Sequence, residues 1–231
     1  MISMIYPFSS SLYPIICALN EKEQTNRIHY AVSPPSWGVR VENLNSEIVY
    51  STDFIAALES VDSVIIADFT YNDYLYRDVI EKISLTLEKG KQIICYSSLK
   101  EPDRTRFSNE YPSLFSVIDN NSVGSVNDAL KLNFRYRSQD CIIIGVGNMM
   151  KGLDDITITV TISELLKKQG YRVKTISTNH NCGLLRYYDY PIDIYSSTVS
   201  EEDKVLALNA YIHNIEEKTH LILLWFSFRA G

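Results

Sequence analysis

The chain has 231 residues, 22 basic against 28 acidic, and a formal net charge of -6. An acidic balance without a clustered basic face excludes broad binding along a phosphate backbone, so nucleic acid is not an expected partner. The 45% hydrophobic and 22% charged content is that of an ordinary globular chain, and the length admits one large domain or two small ones.

The four cysteines, Cys17, Cys95, Cys141 and Cys182, form no C-x-x-C pair. They read as free thiols, most of them in apolar runs, and point to a reducing cytoplasm. Residues 1–17 lack a basic n-region and contain Pro7 and Pro14, unlike a signal peptide. No apolar run approaches the ~20 residues of a membrane-spanning helix, so a membrane is not an expected partner either.

The first apolar run, 3–8, predicts a strand that ends at Pro7 and the serines 9–11. Leu12, Ile15, Ile16 and Leu19 follow at helical spacing, with Ser11 as the expected cap. A second strand is expected over 28–32, closed by Ser33-Pro34-Pro35, and the loop Ser36-Trp37-Gly38 follows it. Residues 48–51 read as a short strand, and Asp53 opens a helix through Phe54, Ala57 and Leu58. Residues 61–68 predict a buried strand. The next helix, 74–89, repeats Leu75, Val79, Ile83 and Leu87 at four-residue intervals and stops at Gly90. Residues 92–96 predict another strand.

Strands alternating with helices imply a parallel sheet of βαβ units, with ligands collecting beyond the strands' C-terminal ends. Those ends fall at 8–10, 33–38, 68–71 and 96–98. Residues 100–138 are polar and read as a connector with a short helix near 125–130. The expected domains are therefore 1–138, Rossmann-like, and 139–231, a P-loop-like α/β unit.

The second half opens with a β-branched run, 141–146, expected to be a strand. Residues 156–162 alternate isoleucine or valine with threonine, which alone suggests a strand. A parallel step onward to a strand at 172–177 instead requires a crossover of at least ~10–12 residues. The expectation is therefore a helix capped by Asp154 or Asp155, lined by Ile158, Ile162, Leu165 and Leu166 and ended by Gly170. A tyrosine-rich loop over 187–195 follows a polar turn. Ser200 then caps a helix with acidic residues in its first turn. The last strand, 220–228, would expose Trp225 and Phe226 as an apolar sheet edge unless covered, as in a fragment or a chain with a partner.

Residues 145–152 read G-V-G-N-M-M-K-G. A Walker A loop, G-x-x-x-x-G-K-[ST], needs glycines to bring backbone amides to the phosphates and a lysine for the β/γ-phosphates. Gly145 and Lys151 keep the separation, but Met150 replaces the second glycine and Gly152 the Mg²⁺-binding hydroxyl. The dinucleotide pattern G-x-G-x-x-G fails at Met150 too. What remains is a strand, a glycine loop, a lysine and a helix N-terminus, a setting that attracts anions. The expected ligand contacts are Gly145, Gly147, Asn148, Lys151 and Gly152, and the expected ligand is ATP or GTP with Mg²⁺. Binding is favoured over hydrolysis, and the competing reading of such a degenerate loop is a plain turn.

Other candidates carry less. His180-Asn181-Cys182 offers two metal ligands without the rest of a set. His29, His213 and His220 read as structural. Asp68, at a strand end, suits an acid, a base or a ribose contact, and equally a helix cap. No nucleophile–base pair stands out. Of the sixteen tyrosines, seven form two clusters, Tyr71, Tyr74 and Tyr76, and Tyr187, Tyr188, Tyr190 and Tyr195, a composition that suits either a peptide-binding surface or half-buried loops.

Met4-Ile5-Tyr6-Pro7-Phe8 and Val32-Ser33-Pro34-Pro35-Ser36-Trp37-Gly38 together resemble the clostridial-type peptide maturation system proteins. So do Gly145-Val146-Gly147, Gly170-Tyr171-Arg172-Val173, Glu202-Asp203-Lys204-Val205 and Leu208-Asn209. That family is encoded beside radical SAM maturases and cysteine-rich precursor peptides. The resemblance implies an accessory role in maturing a ribosomally made peptide, with the precursor peptide or the maturase enzyme as partner. It carries no catalytic residues across. Family members continue beyond the last strand into a glycine-rich turn, where this sequence closes at Gly231.

Overall fold

The computed structural model describes residues 1–22, 27–37, 47–69, 72–118, 124–132, 141–148, 155–191 and 193–227. They belong to two compact units, Met1–Asp119 and Asn120–Gly231.

In the first unit, strands and helices alternate along the chain. They are β1 (Ile2–Tyr6), α1 (Tyr13–Lys22), β2 (Arg27–Val32), β3 (Val49–Ser51), α2 (Phe54–Glu59), β4 (Ser63–Ile66), α3 (Asp73–Glu88), β5 (Gln92–Cys95), α4 (Glu101–Glu110) and β6 (Phe115–Val117). The sheet is parallel throughout, in the order β3-β2-β1-β4-β5-β6. This is the 3-2-1-4-5-6 order of the doubly wound Rossmann fold, whose strand order reverses between β1 and β4.

Local chemistry sets the helix ends. The Asp53 carboxylate accepts the Ala56 amide at 3.0 Å, and the Asn72 side chain accepts Leu75 at 2.8 Å. After α3, Gly90 takes the left-handed φ of 70° that a side chain disfavours. Leu75, Val79, Ile83 and Leu87 then bury one face of α3 against Met4, Tyr6, Val64, Ile66 and Ile93 from the strands. The two-residue period of β1 turns Ser3 to the other face, where its hydroxyl meets Ser63 at 2.7 Å.

The stretch 100–138 is not a mere connector. It holds α4 and β6, the last crossover and edge strand of the first sheet. Both escape a periodicity reading because α4 buries a single large residue, Phe107, against Phe115 with ring centroids 5.5 Å apart. Polar bonds add to its anchorage: the Tyr76 hydroxyl donates to Asp103 at 2.5 Å and accepts the Lys100 amide at 3.1 Å. Pro102 sits in the helix's first turn, where its missing N–H has no cost, instead of breaking structure. The boundary accordingly lies at Asp119/Asn120, not near Ser138.

The second unit contains α5 (Val126–Leu130), β7 (Ile142–Asn148), α6 (Asp155–Lys168), β8 (Val173–Ser177), β9 (Tyr188–Asp189), α7 (Glu201–Ile215) and β10 (Leu221–Ser227). Its sheet is again parallel, in the order β7-β10-β8-β9. α5 and α7 cover one face, packing Val126, Ala129, Ala207, Tyr211 and Ile215 on Ile176, Ile222 and Leu224. α6 covers the other, where Ser163 meets Thr175 of β8 at 3.0 Å. Both units are therefore α/β layers around mainly parallel sheets.

Residues 156–162 are helical, as the crossover requires. The lining differs from expectation: Ile156, Thr159, Val160 and Ser163 are buried, whereas Ile158 and Leu165 are exposed. Two of the four inward positions carry hydroxyls, which hides the stripe from hydrophobicity alone. The last strand differs more. β10 is not an edge but lies between β7 and β8, so Trp225 is buried without any partner chain. Among the described residues, no helix is long and apolar enough to cross a membrane.

Candidate functional site

The predicted phosphate loop begins inside a strand. Gly145 lies opposite Leu224, Gly147 opposite Phe226 and Asn148 opposite Ser227, so both glycines belong to β7 and not to the loop after it. β7 is an edge strand that runs out at the C-terminal end of the sheet, and α6 opens at Asp155. Lys151 and Gly152, like the proposed cap Asp154, lie outside the described residues. The structure thus brings Gly145, Gly147 and Asn148 to the end of a parallel strand followed by a helix of 14 residues.

The register around α6 defines a layer beneath its first turns. Ser163 bonds Thr175, and Thr175 lies opposite Leu223 of β10. One helical turn toward the start of α6, about 6 Å, lies Thr159; two residues onward in β10, about 6.6 Å, lies Trp225. α6 runs back against the strands it connects, so Thr159 and Trp225 both lie toward the C-terminal end of the sheet from the Ser163–Thr175 pair. Across the sheet, Trp225 lies opposite Val146, and Ser177 lies opposite Asp189. Leu224 pairs with Ile176, so Ser177 is the next step beside Trp225. Strand alternation puts Ser177 and Asp189 on the α6 side with Thr175 and Tyr187, whose hydroxyl donates to Glu164 of α6.

This layer is buried and polar. Thr159 is 1% exposed, Ser177 1%, Asp189 3% and Trp225 3%. Thr159 Oγ1, Trp225 Nε1 and Asp189 Oδ1 have no hydrogen-bond partner among the described residues. The other oxygen of Asp189 meets His180 Nδ1 at 3.2 Å, and the His180 side chain is 54% exposed. Native interiors pair nearly all such groups, so three open ones at one end of one sheet call for a cause.

The remaining candidates resolve less specifically. In the first unit the strand order reverses between β1 and β4, where the Ala67 amide donates to the Tyr6 carbonyl at 2.9 Å, and the 8–11 turn and Asp68 follow their respective strands. The turn has no glycine: Phe8 is 1% exposed, its amide donates to Val32 and its carbonyl accepts the buried Ser33 hydroxyl at 2.7 Å. The first unit therefore keeps the dinucleotide-binding topology without its fingerprint. Cys182 is buried, and no group of three or more metal-ligating side chains occurs among the described residues. His213 pairs with Glu216, His220 Nδ1 accepts the Arg172 amide at 3.2 Å, and His29 stacks edge-on to Tyr30. Tyr187, Tyr190 and Tyr211 are core residues, while Tyr74 and Tyr195 are exposed.

Sequence reasoning missed Thr159, Ser177 and Asp189, and took Trp225 for part of an exposed edge. The available signal was positional. Thr159 and Ser163 share a helical stripe with Ile156 and Val160, and Ser177 follows Thr175 at strand spacing.

No family model matches the chain, and no curated protein matches it. Among solved structures, a crystal structure of isoflavone reductase aligns over 94% of this chain and 88% of its own, at 14% identity and a TM-score of 0.33. A likeness at that level carries no information on function.

Proposed function

We propose that the chain binds a nucleotide or another phosphate-bearing ligand at the C-terminal edge of the second sheet, as an accessory in the maturation of a ribosomally synthesised peptide. The observation that carries the binding half is the passage from β7 into α6. A parallel strand ends beside β10, and a helix of 14 residues follows it, at the C-terminal edge where ligands of open α/β sheets generally gather. Unpaired amides at a helix N-terminus favour an anion, and Lys151 supplies the neutralising charge. Gly152, where a Walker loop has its Mg²⁺-binding hydroxyl, makes this binding without hydrolysis. The maturation half rests on the resemblance of the short motifs in both halves of the chain. The rival reading, a scaffold that docks peptide or maturase through tyrosine-rich loops, loses Tyr187 and Tyr190 to the interior.

Thermal unfolding with and without Mg²⁺-ATP, Mg²⁺-GTP and inorganic phosphate tests the proposal. A ligand at about a hundred times its Kd stabilises by roughly 2.7 kcal/mol, a shift of several degrees at this chain length. The shift should vanish in Lys151→Ala. A well-folded protein that shifts with none of the three ligands would overturn it.

A further inference from the structure

We infer that β7 and the outer side of α6 form an interface between two copies of this chain, strand against strand and helix against helix across a twofold axis. Association through this surface is independent of any ligand at the end of β7.

β7 is an unprotected edge. Exposed edges invite pairing, and proteins blunt them by keeping them short, charged or interrupted by proline. The other edge strands are short: β3 and β6 have three residues each and β9 has two. β7 has seven, Ile142–Asn148, with no charge and no proline, and among the described residues nothing pairs with its far side. The Ile142 amide donates to the His220 carbonyl at 3.1 Å. Strand alternation then points the N–H and C=O groups of Ile143, Gly145 and Gly147 away from β10. Gly145 and Gly147 are exposed and have no side chain to hold a second backbone at a distance.

The apolar surface continues from this edge onto the helix. Cys141 and Ile143 pack on the α5–α7 side, so Ile142 and Ile144 face the α6 side, and both are exposed. Glu164 of α6 accepts the hydroxyl of Tyr187, the residue before β9, so Glu164 looks toward β8 and β9. At ~100° per residue, Ile162 lies round the helix on the β7 side, with Ile158 and Leu165 beside it on the outward face. Ile158 and Leu165 are each about half exposed. Two layers of one surface are therefore apolar and open.

That pairing of layers selects the occupant. An extended peptide could add to β7 but would leave Ile158, Ile162 and Leu165 in water. Covering both layers takes a strand with a helix packed over it at the same height, which this chain itself presents. A twofold axis through the middle of β7 sets the strands antiparallel and brings α6 against α6. Like residues meet there without repulsion, because Ile142, Ile144, Ile158, Ile162 and Leu165 carry no charge. Seven strand residues span about 24 Å, and a helix layer on a sheet layer is about 20 Å deep. The footprint is roughly 500 Å² per copy and roughly 1,000 Å² for the pair, the size at which a specific interface begins.

Sedimentation velocity on the full chain from about 0.1 to about 100 μM tests this. A monomer passing to a dimer is expected. Ile144→Lys in the strand layer and Leu165→Lys in the helix layer should each raise the dimer Kd about tenfold or more. Ile142→Lys, at a more exposed position, replaces Ile144→Lys if that variant fails to fold. Val205→Lys, equally exposed but on α7, should leave association unchanged. Circular dichroism and denaturant unfolding below the dissociation midpoint, where only the fold is read, check each variant. In the wild type, amide exchange at Ile143, Gly145 and Gly147 should slow as concentration rises.

A monomer at every concentration overturns the inference, whether or not it captures an extended peptide. So does a dimer that survives both lysine variants, or one in which the three amides exchange as fast as in dilute protein.

Discussion

Cys95 and Tyr6 illustrate how burial controls single groups in the first unit. Cys95 is fully buried at the end of β5, and desolvation pushes its thiol pKa up to about 12. A raised pKa means the neutral thiol persists through physiological pH, so the nucleophilic thiolate is scarce. At pH 8, Cys95 should therefore resist a thiol reagent that labels the half-buried Cys17 and Cys141, with site occupancy read by mass spectrometry. Rapid stoichiometric labelling of Cys95 in the folded protein would contradict this. Tyr6 is 1% exposed, donates to Asp78 and meets Phe54 edge-on at 5.1 Å. Burial and the neighbouring carboxylate hold its hydroxyl protonated well above the usual tyrosine range. The cysteines' isolation was legible in the sequence. The Tyr6–Asp78 bond was not, because 72 residues separate its partners.

Helices that announced themselves did so through caps and spacing: Asp53 before α2, the four-residue repeat and Gly90 around α3, Ser200 before α7. The Ser200 hydroxyl accepts the Asp203 amide at 3.1 Å, as a cap should. Helix α6 was recovered by topology against local propensity, and its buried stripe was misassigned because Thr159 and Ser163 look like surface residues. Their hydroxyls differ in circumstance, which yields a paired prediction. Ser163→Ala strands the buried Thr175 hydroxyl and should cost about 1–3 kcal/mol. Thr159→Val replaces an unpartnered hydroxyl with a methyl of the same shape and should be neutral or stabilising in the absence of ligand. Denaturant unfolding of the two variants decides it. A large loss in Thr159→Val would mean that its hydroxyl is already satisfied. Helix α4 and strand β6 went unread because their contribution to the core is a pair of phenylalanines, too few for a periodic signal.

The arrangement of strands into sheets is where prediction from pattern reached its limit. A βαβ alternation correctly implied parallel sheets, but the order β7-β10-β8-β9 moves the last strand to an interior position. Ile222 of β10 is fully buried, whereas Ile142 of the edge strand β7 is 64% exposed. Ile222→Ala should cost about 2–5 kcal/mol and Ile142→Ala no more than about 0.5 kcal/mol, measured by chemical denaturation. Equal losses would show that β7, not β10, carries the centre of that sheet. The same order brings Trp225 beside Ser177, and Ser177 beside Asp189, three residues that no spacing rule connects.

The sequence by itself determined the α/β class, the parallel alternation, most helix ends and the strand-to-helix passage at 141–168, because capping and hydrophobic periodicity act over a few neighbouring residues. Only the tertiary structure decided the Rossmann strand order, the interior place of β10 and the buried polar layer of Thr159, Ser177, Asp189 and Trp225. Those depend on which distant strands pair and in which register. A shift of one residue would turn every side chain of a strand to the opposite face, and nothing local in the chain specifies that choice.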